Sequence, residues 1–258
     1  MTLKALIFDV DGTFAETERF GHRMAFNDAF YDLGLDWYWD ESLYGDLLAV
    51  GGGRERLEAY IRYYRNESTR GRAELIGDIH ETKARYFKQR VGMGDVKIRP
   101  GIARILSQES WEAGLKLAVA TNCSITSLTA LTKQFFQRPP EEVFDVVVCG
   151  RDLKNKKPAP DAYEIALQRL GLEAEECLAF EDSYVGLKAA RTVGVPTVVT
   201  VSDYTSGEDF SGAKLVLDNL GEAEKPCELQ DGDWEATLPP EGFVTVPWLQ
   251  ALHAQHLG

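Results

Sequence analysis

Ala5-Leu6-Ile7-Phe8-Asp9-Val10-Asp11-Gly12-Thr13 is a short apolar run that delivers two carboxylates. Side chains two apart on an extended strand point the same way, so Asp9 and Asp11 crowd one mouth unless the chain turns at Gly12. Like charges that close need a counter-ion, and a hard divalent cation such as Mg²⁺ prefers carboxylate and carbonyl oxygens. Taken alone, Asp-x-Asp-Gly reads equally well as a turn in which glycine supplies a positive φ. The rest of the chain decides between the two.

Four further apolar runs, at residues 115–120, 144–149, 177–180 and 196–201, match the first at 3–8. Helical patterns lie between them. The clearest follows Pro160, with Asp161 as the expected N-cap, Tyr163, Ala166, Leu167 and Leu170 on one stripe, and Gly171 at the stop. Near-continuous apolar strands alternating with helices specify an α/β protein with a Rossmann-like parallel sheet covered on both faces. About a hundred residues separate the first two strands, far more than one crossover helix needs. Within them Met24, Ala25, Phe26, Ala29 and Phe30, then Leu57, Tyr60, Ile61 and Tyr64, recur at helical spacing. The expected organisation is a core of residues 1–17 and 93–258 with a helical cap, 18–92, placed to act as a lid.

The 258 residues, 44% of them hydrophobic, can bury a full core. The net charge of −13 argues against a nucleic-acid partner, though a few local cations can still make one cleft attract phosphorylated metabolites. No window approaches an uninterrupted membrane span, so no membrane partner is expected and the chain is read as cytoplasmic. A chloroplast protein without its transit peptide would have the same start. Cys123, Cys149, Cys177 and Cys227 are too scattered for a zinc site, and two or three are expected as small buried hydrophobes. These patterns do not specify an oligomeric state, and a monomer suffices for them.

Ligands of open α/β sheets bind beyond the carboxyl ends of the strands. Those ends carry Asp9 and Asp11, then Thr121 and Asn122, then Glu181, Asp182 and Ser183, with Lys157 arriving on the loop Lys154-Asn155-Lys156-Lys157-Pro158. Each piece alone is ordinary: Thr121-Asn122 a turn, Lys157 a solvated charge like Lys154 and Lys156, Glu181-Asp182-Ser183 a helix cap. In this order they resemble the haloacid dehalogenase superfamily of phosphatases and mutases, over nearly the whole chain. The resemblance implies that Asp9 is the nucleophile, forming an aspartyl phosphate, and that Asp11 protonates the leaving oxygen and then activates water. It implies that Mg²⁺ is held by Asp9, Glu181, Asp182 and the backbone carbonyl of Asp11. Thr121, the amide of Asn122 and the Lys157 ammonium would ring the transferring phosphoryl group.

In the cap segment, Val50-Gly51-Gly52-Gly53-Arg54-Glu55-Arg56 opens a helix with an arginine, a natural anion cradle, although a glycine run is as often a linker. Trp37 and Trp39 are expected to pack between cap helices. His80-Glu81-Thr82-Lys83 can bring another cation. Together with Glu16, Gly21-His22-Arg23 and Arg99-Pro100-Gly101, these resemble the CbbY-type members, xylulose-1,5-bisphosphate phosphatases, which remove an inhibitor of Rubisco. That resemblance implies sugar contacts from Glu16, His22 and Tyr44, and a distal phosphate held by Gly52, Gly53, Arg54 and Lys83. Gly21 adds one residue before His22 relative to shorter relatives. The rival readings are a phosphoglycolate phosphatase, a β-phosphoglucomutase-like enzyme, or a non-enzymatic phosphometabolite-binding protein, which the intact acids and Lys157 disfavour. Residues 222–242 read as an irregular surface segment with no assigned function, followed by a short helix over 247–256.

Overall fold

The computed structural model describes residues 2–234, 238–239 and 241–257, without the side chains of 108 and 109. Seven strands form one sheet in the order β3-β2-β1-β4-β5-β6-β7: β1 Ala5–Phe8, β2 Lys116–Ala120, β3 Val146–Val148, β4 Cys177–Glu181, β5 Thr197–Thr200, β6 Leu215–Leu217 and β7 Leu229–Asp231. The first six are parallel and β7 runs antiparallel to β6. All four residues of β1 are buried, which fits its place between β2 and β4 at the centre of the sheet. The alternation of side chains splits the core in two. Leu6, Phe8, Leu117, Val119, Leu178 and Phe180 face one side, where Phe8 stacks on its register partner Phe180 at 4.7 Å. Ala5, Ile7, Ala118, Ala120, Cys177 and Ala179 face the other. Their small size lets two helices, given below, approach closely on that side.

Four helices lie between β1 and β2 before the core resumes: α1 Arg23–Asp32, α2 Glu41–Leu48, α3 Gly53–Ala59 and α4 Ala73–Met93. Then come α5 Ile102–Ile105, α6 Gln108–Glu112, α7 Ile125–Phe136, α8 Pro140–Val143, α9 Asp161–Leu170, α10 Tyr184–Thr192 and α11 Val246–Leu257. Ala162, Tyr163, Ala166 and Leu170 of α9, with Ala189 and Ala190 of α10, cover the small-residue face. α9 starts one position earlier than expected, with Pro160 rather than Asp161 at its N-cap, and Gly171 closes it at φ +67°. Asp161 instead accepts a hydrogen bond from the Asn155 amide at 2.8 Å and braces the preceding loop.

The helices between β1 and β2 build an apolar cluster of their own around Phe26, Phe30, Trp37, Trp39, Tyr60 and Ile79. Trp39 sits 4.6 Å from Phe26 and 5.0 Å from Phe30, while the Asn27 amide donates to Trp39 O and accepts from Trp39 N. This carboxamide clasp holds an otherwise irregular stretch against α1. Gly21 lies within a π-turn over Glu18–His22. Two strand-like linkers, paired through Glu16 N to Lys97 O at 2.9 Å and Arg99 N to Phe14 O at 3.1 Å, join this insertion to the sheet.

Two strands go beyond the sequence reading. β6 is an apolar run of only three residues and β7 is an exposed edge, so neither stands out in the sequence. Residues 222–242 are consequently more than irregular surface: they include β7, and Cys227 and Trp234 are buried in the main core cluster. α11 covers that same face with Leu249 and Leu252, and Trp234 stacks on its His256 at 5.0 Å. All four cysteines are buried, more than the two or three expected. Among the described residues no helix is long and apolar enough to cross a membrane.

Candidate active site

The carboxyl ends of β1, β2 and β4 open into one cleft of about 860 Å³. Asp9 follows β1 directly; Thr121 follows β2; Glu181 ends β4 and Asp182 comes next. Lys157 enters on the loop before α9, and its Nζ donates to Asp9 Oδ1 at 2.7 Å and to Glu181 Oε1 at 2.6 Å. The Tyr163 hydroxyl donates to Glu181 Oε1 at 2.5 Å, and Ser202 Oγ to Asp182 Oδ2 at 2.8 Å. Asn122 Oδ1 accepts from the Lys157 amide at 3.0 Å, which ties the loop after β2 to the lysine loop.

Two glycines make this proximity possible. A Cβ on Gly12 would stand 2.1 Å from Asp182 Oδ2, and Gly12 also needs its φ of +84° for the turn after Asp11. A Cβ on Gly186 of α10 would stand 1.8 Å from Glu181 Oε2. Gly186→Ala is therefore expected to destabilise the protein by about 1–3 kcal/mol, by forcing Glu181 out of place. In an ordinary helix interior the same change stabilises by roughly 0.5–1 kcal/mol. Chemical denaturation of the two proteins distinguishes the signs, and a stabilised variant would show that Glu181 has room to move.

The acids past β1 diverge rather than crowd. The Asp11 carboxylate turns toward the insertion, accepting from Thr17 Oγ1 at 2.6 Å and lying 3.1 Å from His22 Nε2. Burial pushes Asp11 upward, but His22 and Thr17, with Lys83 behind them, hold it at about 2. Asp9 goes the other way: burial, only partly offset by Lys157 and reinforced by Glu181 and Asp11, pushes it up to about 7. Burial and the neighbouring Asp9 also push Asp182 well above the usual carboxylate range. One carboxylate oxygen from each of Asp9, Glu181 and Asp182 lies within 4.8 Å of the others. Three buried acids, two of them bonded to Lys157, make an all-oxygen set with surplus negative charge, which fits a divalent cation such as Mg²⁺.

The opposite wall comes from the insertion. Glu18, His22, Gly52, Gly53, Arg54, Arg56, His80 and Lys83 all face the cleft. Lys83 is buried, with Nζ 2.8 Å from His22 Nδ1, and burial lowers it to about 8. Burial together with Lys83, Arg54 and Lys156 pushes His80 down to about 4. Two expected contacts fall elsewhere. Glu16 is absent from the cleft wall because Arg99 Nη1 takes its Oε1 at 2.6 Å, in the linker. Tyr44 is fully buried one layer behind the wall, its hydroxyl donating to Glu18 Oε2 at 2.5 Å and accepting from Arg56 Nη1 at 2.8 Å. Sequence reading missed Thr17, Glu18, Arg56, Tyr163 and Ser202. It also took Lys156 for a solvated charge, whereas Lys156 lines the cleft and pairs with Glu55 at 2.5 Å. A second acid two residues past Glu16 was the available signal for Glu18. The others have none short of three-dimensional contact.

A family profile described as haloacid dehalogenase-like hydrolase matches residues 3–194. Protein CbbY from a plasmid of Cupriavidus necator is 47% identical over 226 residues, 87% of this chain and 88% of that protein. The crystal structure of CbbY from Rhodobacter sphaeroides in complex with phosphate superposes with a TM-score of 0.79 at 41% identity, covering 84% of this chain and 94% of that one. A mutant of the same protein, in complex with xylulose-(1,5)bisphosphate, matches with a TM-score of 0.79 at 40% identity over the same shares of the two chains.

Proposed function

Because the chain belongs to the haloacid dehalogenase-like hydrolases, a family whose profile spans its catalytic acids, we propose that it is a phosphatase using Asp9 as nucleophile, with xylulose 1,5-bisphosphate as substrate. The observation that carries this reading is the Lys157 bridge, which joins the carboxylate after β1 to the acid pair after β4 at the rim of one cleft. The substrate assignment is supported by the xylulose-(1,5)bisphosphate complex of a relative that matches most of this chain.

In the proposed cycle Asp9 attacks the phosphorus at C1, the bond from phosphorus to the sugar oxygen breaks, and Asp11 supplies the proton to that oxygen. Water then attacks the aspartyl phosphate, Asp11 takes its proton, and phosphate leaves with Asp9 restored. The bonds from Thr17 and His22 favour the ionised Asp11, the form that the water step requires. Lys157 orients Asp9, and with Thr121 and the Asn122 amide it offers donors to the phosphoryl oxygens as their charge builds. Asp9, Asp182, Glu181 and the carbonyl of Asp11 are the groups suited to hold Mg²⁺, which when bound would neutralise phosphoryl charge. Residues 18–92 act as a lid that excludes water and selects the substrate, with Glu18 and His22 toward the sugar and Gly52, Gly53, Arg54 and Lys83 toward the far phosphate. Bacterial CbbY relatives support a cytoplasmic site of action.

A screen of sugar mono- and bisphosphates with Mg²⁺, scored by kcat/KM and by free phosphate against isomerised sugar phosphate, tests the reading. Xylulose 1,5-bisphosphate is expected to lead, with stoichiometric phosphate release; an isomerised product instead would make the protein a mutase. Arg54→Ala is expected to raise KM for the bisphosphate about tenfold and to move a monophosphate much less. Equal changes would remove Arg54 from the far-phosphate site.

A further inference from the structure

At one edge of that cleft the glycine loop of the lid meets the core in a seam. A Cβ on Gly51 would lie 3.3 Å from Lys157 O and 3.5 Å from Asn122 Nδ2, so the glycine loop rests directly on the lysine loop. A Cβ on Gly52 would lie 2.3 Å from both Lys156 Nζ and Glu55 Oε2. Across this seam Lys156 Nζ, from the core, donates to Glu55 Oε1, from α3, at 2.5 Å. The two side chains are 32% and 46% exposed, and a pair this open to water adds little to stability. Lys156, Arg54 and Lys83 all reach His80 electrostatically, and Glu55 stands against them. Since the next residue, Lys157, is fixed on Asp9, Lys156 sits at a set chain distance from the nucleophile.

We propose that Glu55 is a built-in substitute for the non-reacting phosphate of the substrate: it holds Lys156 across the seam until a phosphate at the far end of the sugar takes Lys156 from it. Lys156 is then a specificity-determining residue for bisphosphates. A phosphate dianion offers more charge and more acceptor oxygens than a carboxylate, so it displaces Glu55, and the lysine stays paired throughout. A sugar phosphorylated only at the reacting carbon leaves the Glu55 pair intact and gains nothing from Lys156. The inference rests on the phosphatase reading of the same cleft.

Steady-state kinetics of the full chain with xylulose 1,5-bisphosphate and with a ketose 1-monophosphate test it. Lys156→Ala is expected to raise KM for the bisphosphate about tenfold and to change monophosphate kcat/KM less than about threefold. Glu55→Gln is expected to lower the bisphosphate KM several-fold, because nothing then competes for Lys156. In the double variant that gain disappears, the signature of a coupled pair. An equal loss on both substrates in Lys156→Ala, or a raised bisphosphate KM in Glu55→Gln, overturns the inference while leaving the phosphatase reading intact. A wild-type enzyme with no preference for the bisphosphate overturns the inference together with the xylulose 1,5-bisphosphate assignment.

Discussion

Asp9→Asn is expected to reduce phosphatase turnover by on the order of 10⁴-fold or more while the protein stays folded. The amide cannot attack phosphorus, but it matches the carboxylate in shape. Lys157 would not be left as an unpaired buried charge, because it keeps its 2.6 Å contact with Glu181 Oε1. Stability also follows from the environment of Asp9. Burial pushes its carboxyl up to about 7 from a reference value of 3.8, so the metal-free fold pays for ionising it. That cost is absent below the unfolded value, builds as pH rises from there, and is complete above about 7. A neutral amide escapes it, so without metal at pH 8 the variant should melt at or above the wild-type temperature. Turnover near wild type would reject Asp9 as nucleophile. A melting temperature several degrees lower would show that the carboxylate stabilises the site rather than straining it.

Much of the catalytic rim was legible because its parts are short and contiguous. Ala5–Phe8 is a strand that can only be central, since every residue on it is apolar, and such a strand must deliver Asp9 and Asp11 to the ligand-binding edge. Lys157 was legible for a similar reason: it ends a basic loop between a strand and a helix of the same sheet. The opposite wall was less readable. Glu16 and Glu18 are both acids in the same linker, and which faces the cleft depends on where the π-turn begins and on Arg99, a partner 83 positions away. Tyr44 failed as a surface contact because its ring fills the apolar cluster of the insertion, leaving Arg56 and Glu18 as the groups that reach the cleft. Lys156 looked like its neighbour Lys154, and only the folded seam supplies Glu55. Strand β6 and the docking of Trp234 depend on long-range burial with no periodic signature.

Removing Mg²⁺ is expected to take turnover to background, and adding it is expected to raise the melting temperature more at pH 8 than at pH 5. Both follow from the buried acid set. Asp9 is pushed up to about 7, so at pH 5 it holds a proton that a cation must displace, and the upward push on Asp182 acts in the same direction. At pH 8 Asp9 has lost its proton, the metal-free site carries its greatest excess of negative charge, and the cation relieves it. The metal-free protein should therefore lose stability as pH rises through about 7, and the metal-loaded protein should lose less. Asp11, held at about 2, contributes stability that is lost only at pH values below this window. His80, lowered to about 4 from 6.5, works in the opposite direction, since keeping it neutral costs stability as pH falls below 6.5. It lies on the lid side among Lys83, Arg54 and Lys156, so its effect is common to metal-free and metal-loaded protein and cancels in the difference. Thermal melts at the two pH values, with MgCl₂ or EDTA at matched ionic strength, read that difference directly. Equal shifts at both pH values, or turnover that survives EDTA, would mean that Asp9, Glu181 and Asp182 do not share a cation.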